Sequence, residues 1–309
     1  MEVALKIDVD THQGLSVGVP RLQRMLEAAG VTATFFIAMG PDNSGQAIVR
    51  LFKNRGFLAK MRRTRALSMY GWRTVLSGTL LPARPTALAY PQAVRGLVDA
   101  GFEVGVHGYD HVRWQDRIDE LNDVQIRGEI EDAFEACRAL LRQHARSFAA
   151  PGWRTSAAAL RALDARSLEY RSDSRGRTPY RCAIAGEFFS TPEIPTTLPT
   201  MDELMGNVQF TNPDEIVSFY LKRFSGEALN VHTIHAETEG AAQFEAFSRL
   251  VRELKKRGAR FVQLREVALR LRSAELPACQ MVRATIPGRA GWVSAQGPTM
   301  AESDRDERL

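Results

Sequence analysis

The chain has 309 residues, 44% of them hydrophobic, and a formal net charge of +5, an ordinary globular composition able to bury a large core. Three widely spaced cysteines, Cys137, Cys182 and Cys279, form no C-x-x-C pair. Neither a disulfide framework nor a thiolate metal site is therefore expected, and a reducing compartment is favoured. No run of about 18 uncharged apolar residues could span a bilayer, and no basic and apolar regions of a secretory signal open the sequence.

Val3 to Asp10 predicts a first strand. Val3, Leu5, Ile7 and Val9 share one face, and Asp8 and Asp10 the other, so both carboxylates point the same way from the strand's end. Val19 to Ala29 has helical spacing, with Pro20 in its first turn and Gly30 just past its end. Thr32 to Ala38 predicts a second strand, broken by Gly40-Pro41-Asp42-Asn43. An insertion over 43–90 follows. No acidic residue occurs between Asp42 and Asp99, against Arg50, Lys53, Arg55, Lys60, Arg62, Arg63, Arg65, Arg73, Arg84 and Arg95. Leu51, Phe52, Phe57, Trp72 and Leu80 are interleaved with them. That mixture suits a segment lying on an anionic membrane surface better than a nucleic-acid patch. The alternative is a solvated basic insertion packed on the domain by its apolar face.

A helix from about Pro91 stops at Gly101, and a strand from Phe102 to Val106 runs into His107-Gly108-Tyr109-Asp110-His111. Imidazoles four positions apart can be aimed at one point from a single turn, which makes His107 and His111 candidate ligands for a divalent ion. Two unrelated loop histidines would give the same pattern. Glu120 to Gln143 reads as a long amphipathic helix. Ser147 to Ala150 is a short apolar segment leading to Pro151-Gly152-Trp153-Arg154, and Thr155 or Ser156 caps a helix over 157–165. Leu168 to Ser172 predicts a strand ending at Asp173. Beyond the turn-rich Pro192 to Pro199, Asn212-Pro213 starts a helix to Phe224. Leu229 to Ile234 is a strand ending at His235, with His232 facing away as a structural residue. His12 and His144 read as surface residues. A helix from Ala241 to Lys256, a last strand from Arg260 to Leu264 and a terminal helix complete one domain over 1–293. Residues 294–309 are expected to be a disordered tail.

This alternation argues for parallel strands wrapped by helices, in a barrel or an open sheet. Asp8, Asp10, His107, His111, Arg154, Asp173 and His235 all fall at or just after C-terminal strand ends, the face on which β/α barrels build their sites. The barrel is therefore preferred.

Ile7-Asp8-Val9-Asp10, the His107 to His111 pair, Gly152-Trp153-Arg154, Tyr170-Arg171-Ser172-Asp173-Ser174 and Thr233-Ile234-His235 stand in the order of five motifs of the polysaccharide deacetylase (NodB-homology) family, which the chain resembles. Asp-Val-Asp stands where that family has Asp-Asp, and the third motif lacks the Arg-Pro-Pro opening. Gly40-Pro41-Asp42-Asn43, Leu198-Pro199-Thr200 and His235-Ala236-Glu237 resemble more narrowly a bacterial subgroup that removes formate from 4-deoxy-4-formamido-L-arabinose phosphoundecaprenol. The resemblance implies an α/β fold, a distorted (β/α)7-type barrel with a basic amphipathic insertion. It implies one divalent metal ion (Zn, Co, Mn or Ni) held by Asp10, His107 and His111, with Asp8 as general base and His235 as general acid. Arg154 and Asp173 would support them, Arg154 by fixing the Asp8 carboxylate and Asp173 by fixing another site partner. Tyr109, Trp153 and Glu237 are candidate sugar contacts, equally readable as packing.

The implied partner is a polyprenyl-phosphate-linked sugar met at the inner face of the cytoplasmic membrane, with no nucleic acid involved; the product would feed lipid A modification and polymyxin resistance. Two other readings remain at this point. One is a deacetylase or amidase on a soluble amido sugar, and the other a non-catalytic module that binds anionic lipid or nucleic acid through the insertion.

Overall fold

The computed structural model describes residues 1–46, 77–79, 82–204, 210 and 212–300. Its strands, in chain order, are β1 (Glu2–Val9), β2 (Thr34–Ile37), the two-residue β3 (Pro41–Asp42) and β4 (Arg84–Pro85), β5 (Glu103–Val106), β6 (Ser147–Phe148), β7 (Tyr170–Arg171), β8 (Arg181–Ile184), β9 (Glu187–Phe188), β10 (Leu229–His235), β11 (Arg260–Val262), β12 (Ala278–Ala284) and β13 (Val293–Thr299). The alternation of β1 sorts the core into two layers. Val3, Leu5, Ile7 and Val9 pack outward with Leu22, Leu26, Phe35 and Ile37. Ala4 packs inward with Phe36, Ala149, Tyr170 and Val231.

Seven strands form one sheet, in the order β10-β1-β2-β5-β6-β7 with β11 also on β1, and every pairing is parallel. Parallel neighbours require crossovers, supplied here by helices such as Val19–Ala29, Pro91–Asp99 and Asp123–Leu141. The curled sheet is closed by an extended segment instead of an eighth strand. Arg171 N donates to Pro192 O and Ile194 N to Arg171 O, each at 2.8 Å, while Thr197 N donates to Val231 O at 3.1 Å on the other side. The segment around Pro192 to Thr197 thus bridges β7 to β10, giving the distorted barrel expected from the sequence.

Helix ends follow local chemistry. Gly30 takes the left-handed conformation after Ala29, Ser156 caps Ala157–Asp164, and Asn212 forms a capping box with Glu215 before Pro213–Leu221.

Two expectations fail. Residues 294–299 are not tail: they lie in β13, which pairs antiparallel with β12 in a second sheet of order β13-β12-β8-β9. Gln296 N donates to Arg175 O and Arg175 N to Ser294 O, so long-range backbone pairing orders a stretch with little hydrophobic alternation. Residues 301–309 lie outside the described residues. The helix read from Ala241 begins at Phe244, because Thr238–Ala242 forms a π-helical turn. A Cβ on Gly240 would stand 2.5 Å from Gly18 Cα, so this turn can approach Gly14–Gly18 closely only without side chains there.

Candidate active site

The ends of β1, β5 and β10 bring the predicted residues together. In the β1–β10 register Asp8 sits directly opposite His235. His107 follows β5, and Gly108, with φ +73°, turns the chain so that His111 opens the helix His111–Arg117. Asp110 caps that helix by accepting from Arg113 N at 3.0 Å and also accepts from Asn43 Nδ2 at 2.7 Å.

One ligand atom from each of Asp10, His107 and His111 lies within 4.8 Å of the others. His107 Nε2 is 3.3 Å from Asp10 Oδ1, and His111 Nε2 is 3.4 Å from Asp10 Oδ2. His107 Nδ1 lies 2.8 Å from Ala149 O. A carbonyl only accepts, so Nδ1 carries a proton, which leaves Nε2 as the ring nitrogen turned toward Asp10 and available as a ligand atom. Buried Asp10 Oδ1 has no hydrogen-bond partner. One carboxylate with two imidazoles, their ligand atoms gathered this closely, is a donor set suited to a divalent ion. Burial would raise Asp10, but His111 and His107 outweigh it and hold the carboxyl well below the usual range.

Asp8 is 2% exposed. Its Oδ2 lies 3.2 Å from Lys6 Nζ and 3.9 Å from His107 Nε2, and its Oδ1 has no hydrogen-bond partner. His235 stands across the centre, with Nδ1 3.2 Å from Asp202 Oδ1 and its backbone N donating to Glu239 Oε2 at 2.8 Å. Burial alone would lower its pKa, but Asp202 reverses this and pushes it up to about 10. A cavity of about 170 Å³ opens here, lined by Asp10, Thr11, Asp202, His235, Glu237, Thr238 and Arg289. A second cavity, about 200 Å³, lies among Phe102, Gln143, Arg146, Gln263 and Arg265 and contains none of the predicted site residues.

The structure reassigns several supporting residues. Arg154 does not hold Asp8: its Nη1 donates to Gln115 O at 2.6 Å and its Nε to Trp292 O at 3.1 Å, so it ties the β12–β13 connection to the barrel. Lys6 occupies the place expected of it. Asp173 is fully buried and accepts from Ala150 N at 2.8 Å; burial and the neighbouring Glu193 push its pKa up to about 8. It braces the turn into Pro151–Trp153, while the partner of His235 is Asp202.

Among the candidate sugar contacts, Glu237 turns inward. Its Oε1 accepts from Asp10 N at 2.9 Å, Thr11 N at 2.7 Å and Thr11 Oγ1 at 2.8 Å; burial and Asp10 push it up to about 8. Trp153 is 2% exposed, with Lys6, Arg175 and Arg289 lying over its ring at 5.1, 5.0 and 4.3 Å. Its ring also meets His235 edge-on, with centroids 6.1 Å apart, and its own φ of +54° is a strained conformation for a bulky residue. Tyr109 is half-buried against the main core, with its carbonyl accepting from Gly40 N.

His232 faces away, as expected, between Tyr220 and Phe224. His12 is half-buried and not a free surface residue: its Nε2 lies 2.9 Å from Tyr90 Oη. Arg50, Lys53, Arg55, Lys60, Arg62, Arg63 and Arg65 lie outside the described residues. Among the described residues no helix is long and apolar enough to cross a membrane. Sequence reasoning missed Lys6, Asp202 and Arg289. Only Lys6 carried a local signal, since it shares the inward parity of Asp8 and Asp10.

The polysaccharide deacetylase family model matches residues 2–171, more than half the chain, and with the geometry above places this protein: it belongs to the polysaccharide deacetylase family. A relative from Shewanella sediminis, named a probable 4-deoxy-4-formamido-L-arabinose-phosphoundecaprenol deformylase (ArnD), is 34% identical over 297 residues, covering 96% of this chain and 94% of its own. A relative of the same name from Wigglesworthia glossinidia brevipalpis is 30% identical over 285 residues, covering 92% and 98%. Among solved structures, a Mycobacterium smegmatis protein described as a polysaccharide deacetylase superposes with a TM-score of 0.64 at 18% identity, over 92% of this chain and 95% of that one. The PuuE allantoinase superposes at 0.61 and 17% identity, over 88% and 91%. These two likenesses speak to the fold.

Proposed function

We propose that this protein is a metal-dependent amide hydrolase that removes formate from 4-deoxy-4-formamido-L-arabinose phosphoundecaprenol, leaving the 4-amino sugar lipid. One observation carries the reading: a carboxylate oxygen without a hydrogen-bond partner, Asp8 Oδ1, and an imidazole paired with a carboxylate, His235 with Asp202, stand beside the Asp10, His107 and His111 centre. Full-length similarity to two relatives bearing that activity in their names supports the substrate.

Asp10, His107 and His111 would hold one Zn, Co, Mn or Ni ion, which when bound supplies a Lewis acid to the formyl oxygen and the attacking water. Asp8 Oδ1 takes the proton from that water. His235 gives a proton to the nitrogen, because an amine leaves poorly from a tetrahedral carbon unless protonated. Asp202 keeps His235 charged and aimed. Arg154, Asp173 and Glu237 hold the frame, and Trp153 packs edge-on against His235.

The basic segment that includes Arg50 to Arg65 would meet the lipid phosphate and the anionic inner face of the cytoplasmic membrane, where the protein would bind peripherally; its composition supports this. The product would enter lipid A modification and so contribute to resistance to polymyxin-type cationic peptides.

The test is formate release from a synthetic polyprenyl-phosphate formamido sugar. Chelation or His107→Ala should abolish both bound metal and turnover. Asp8→Asn should keep the ion and lose turnover. Full activity without metal would reject the site, and preference for a soluble acetamido sugar would move the protein to the deacetylases.

A further inference from the structure

A lysine in the barrel interior is the least expected residue of the site. Lys6 lies two positions before Asp8 on the inward face of β1 and is 0% exposed. Burying an ammonium is costly unless it is paired and hydrogen-bonded. Its Nζ lies 3.2 Å from Asp8 Oδ2 and 3.3 Å from Ser172 O, to which it donates. The faces of Trp153 and Phe36 take the remaining directions, at 5.1 and 5.6 Å. Every contact that fixes this ammonium comes from a different strand end or turn, so its position is over-determined.

We propose that Lys6 is the positioning residue for Asp8: it engages Oδ2, sets the carboxylate's rotation, and leaves Oδ1 as the oxygen facing the attacking water. Two features support this beyond proximity. Asp8 Oδ1 is buried without a hydrogen-bond partner while Oδ2 is engaged, a division of labour that a symmetric pairing would not produce. Arg154, the other cation read as a partner of Asp8, is committed to the carbonyls of Gln115 and Trp292. The pairing also holds Asp8 Oδ2 back from the metal ligands, 3.9 Å from His107 Nε2, so that Asp10 serves as ligand and Asp8 as base. Through these contacts Lys6 would act on the reaction by way of Asp8.

The inference rests on Asp8 being the base, and the experiment separates the two. Lys6→Gln keeps a donor for Ser172 O but removes the charge. In the metal-loaded enzyme, with the polyprenyl-phosphate formamido sugar as substrate, it should lower kcat by roughly 10- to 100-fold, with KM and bound metal changed less than about twofold. Lys6→Arg should recover at least about a third of wild-type kcat. Introduced into Asp8→Asn, Lys6→Gln should cost less than about twofold more, because its partner is already gone. A folded Lys6→Gln enzyme with wild-type kcat overturns the proposal, as do multiplicative losses in the double variant. If Lys6→Gln does not fold, the Arg variant decides: a folded, metal-loaded Lys6→Arg enzyme without turnover also overturns it. Unimpaired turnover in Asp8→Asn alone would instead remove Asp8 as base and leave the metal site standing.

Discussion

His235 Nδ1 stands 3.2 Å from Asp202 Oδ1, and the carboxylate favours the charged form of the imidazole proposed as the proton donor. A general acid works only while protonated, so kcat/KM must fall as pH rises through its pKa. Against the lowering effect of burial, Asp202 pushes His235 up to about 10, well above the ordinary histidine value of about 6.5.

Asp202→Asn should therefore move the alkaline limb of the pH–rate profile down by more than about one unit, with bound metal unchanged. An alkaline limb that stays in place would mean that His235 does not donate the proton, or that Asp202 does not control it.

Glu237 gathers three donors from Asp10 and Thr11 onto one oxygen. Removing a residue that orients a metal ligand typically costs 10- to 100-fold in metal affinity. Glu237→Ala should thus weaken metal binding by about that factor in a competition titration, with KM for the sugar little changed at saturating metal. A raised KM with metal affinity intact would place Glu237 against the substrate.

Buried His232 is held near pKa 3 by burial and by Arg175, whereas an unfolded histidine titrates near 6.5. Between these values the unfolded chain binds the extra proton, so stability must fall as pH drops from about 6.5 towards 3, by up to about 1.4 kcal/mol per pH unit. His232→Phe, which suits the rings of Tyr220 and Phe224, should flatten that dependence by about 2 to 3 kcal/mol between pH 7 and pH 4.5 in denaturant titrations. Unaltered slopes would show that other groups govern acid stability.

The basic insertion should carry the protein to anionic vesicles in flotation at low salt, with release as ionic strength rises. Arg62→Gln, Arg63→Gln and Arg65→Gln together should weaken binding by about 3 kcal/mol, at about 1 kcal/mol per cation. Equal binding to neutral vesicles, or binding indifferent to salt, would retire the membrane-surface role.

What the sequence determined by itself was whatever a local period encodes. The two-residue repeat of β1 puts Asp8 and Asp10 on one face because successive strand residues alternate, and the four-residue spacing of His107 and His111 survives the turn at Gly108. Helix ends were legible at Gly30, Ser156 and Asn212 because caps act within a few residues. Tertiary structure decided the rest. The contact of Lys6 with Ser172 spans 166 positions, that of Glu237 with Asp10 spans 227, and β13 is ordered by pairing with β12 and Arg175. Which cation neutralises Asp8, which carboxylate charges His235 and which strand ends meet are choices among chemically equivalent residues. No local pattern distinguishes them, because only the closed barrel sets their distances.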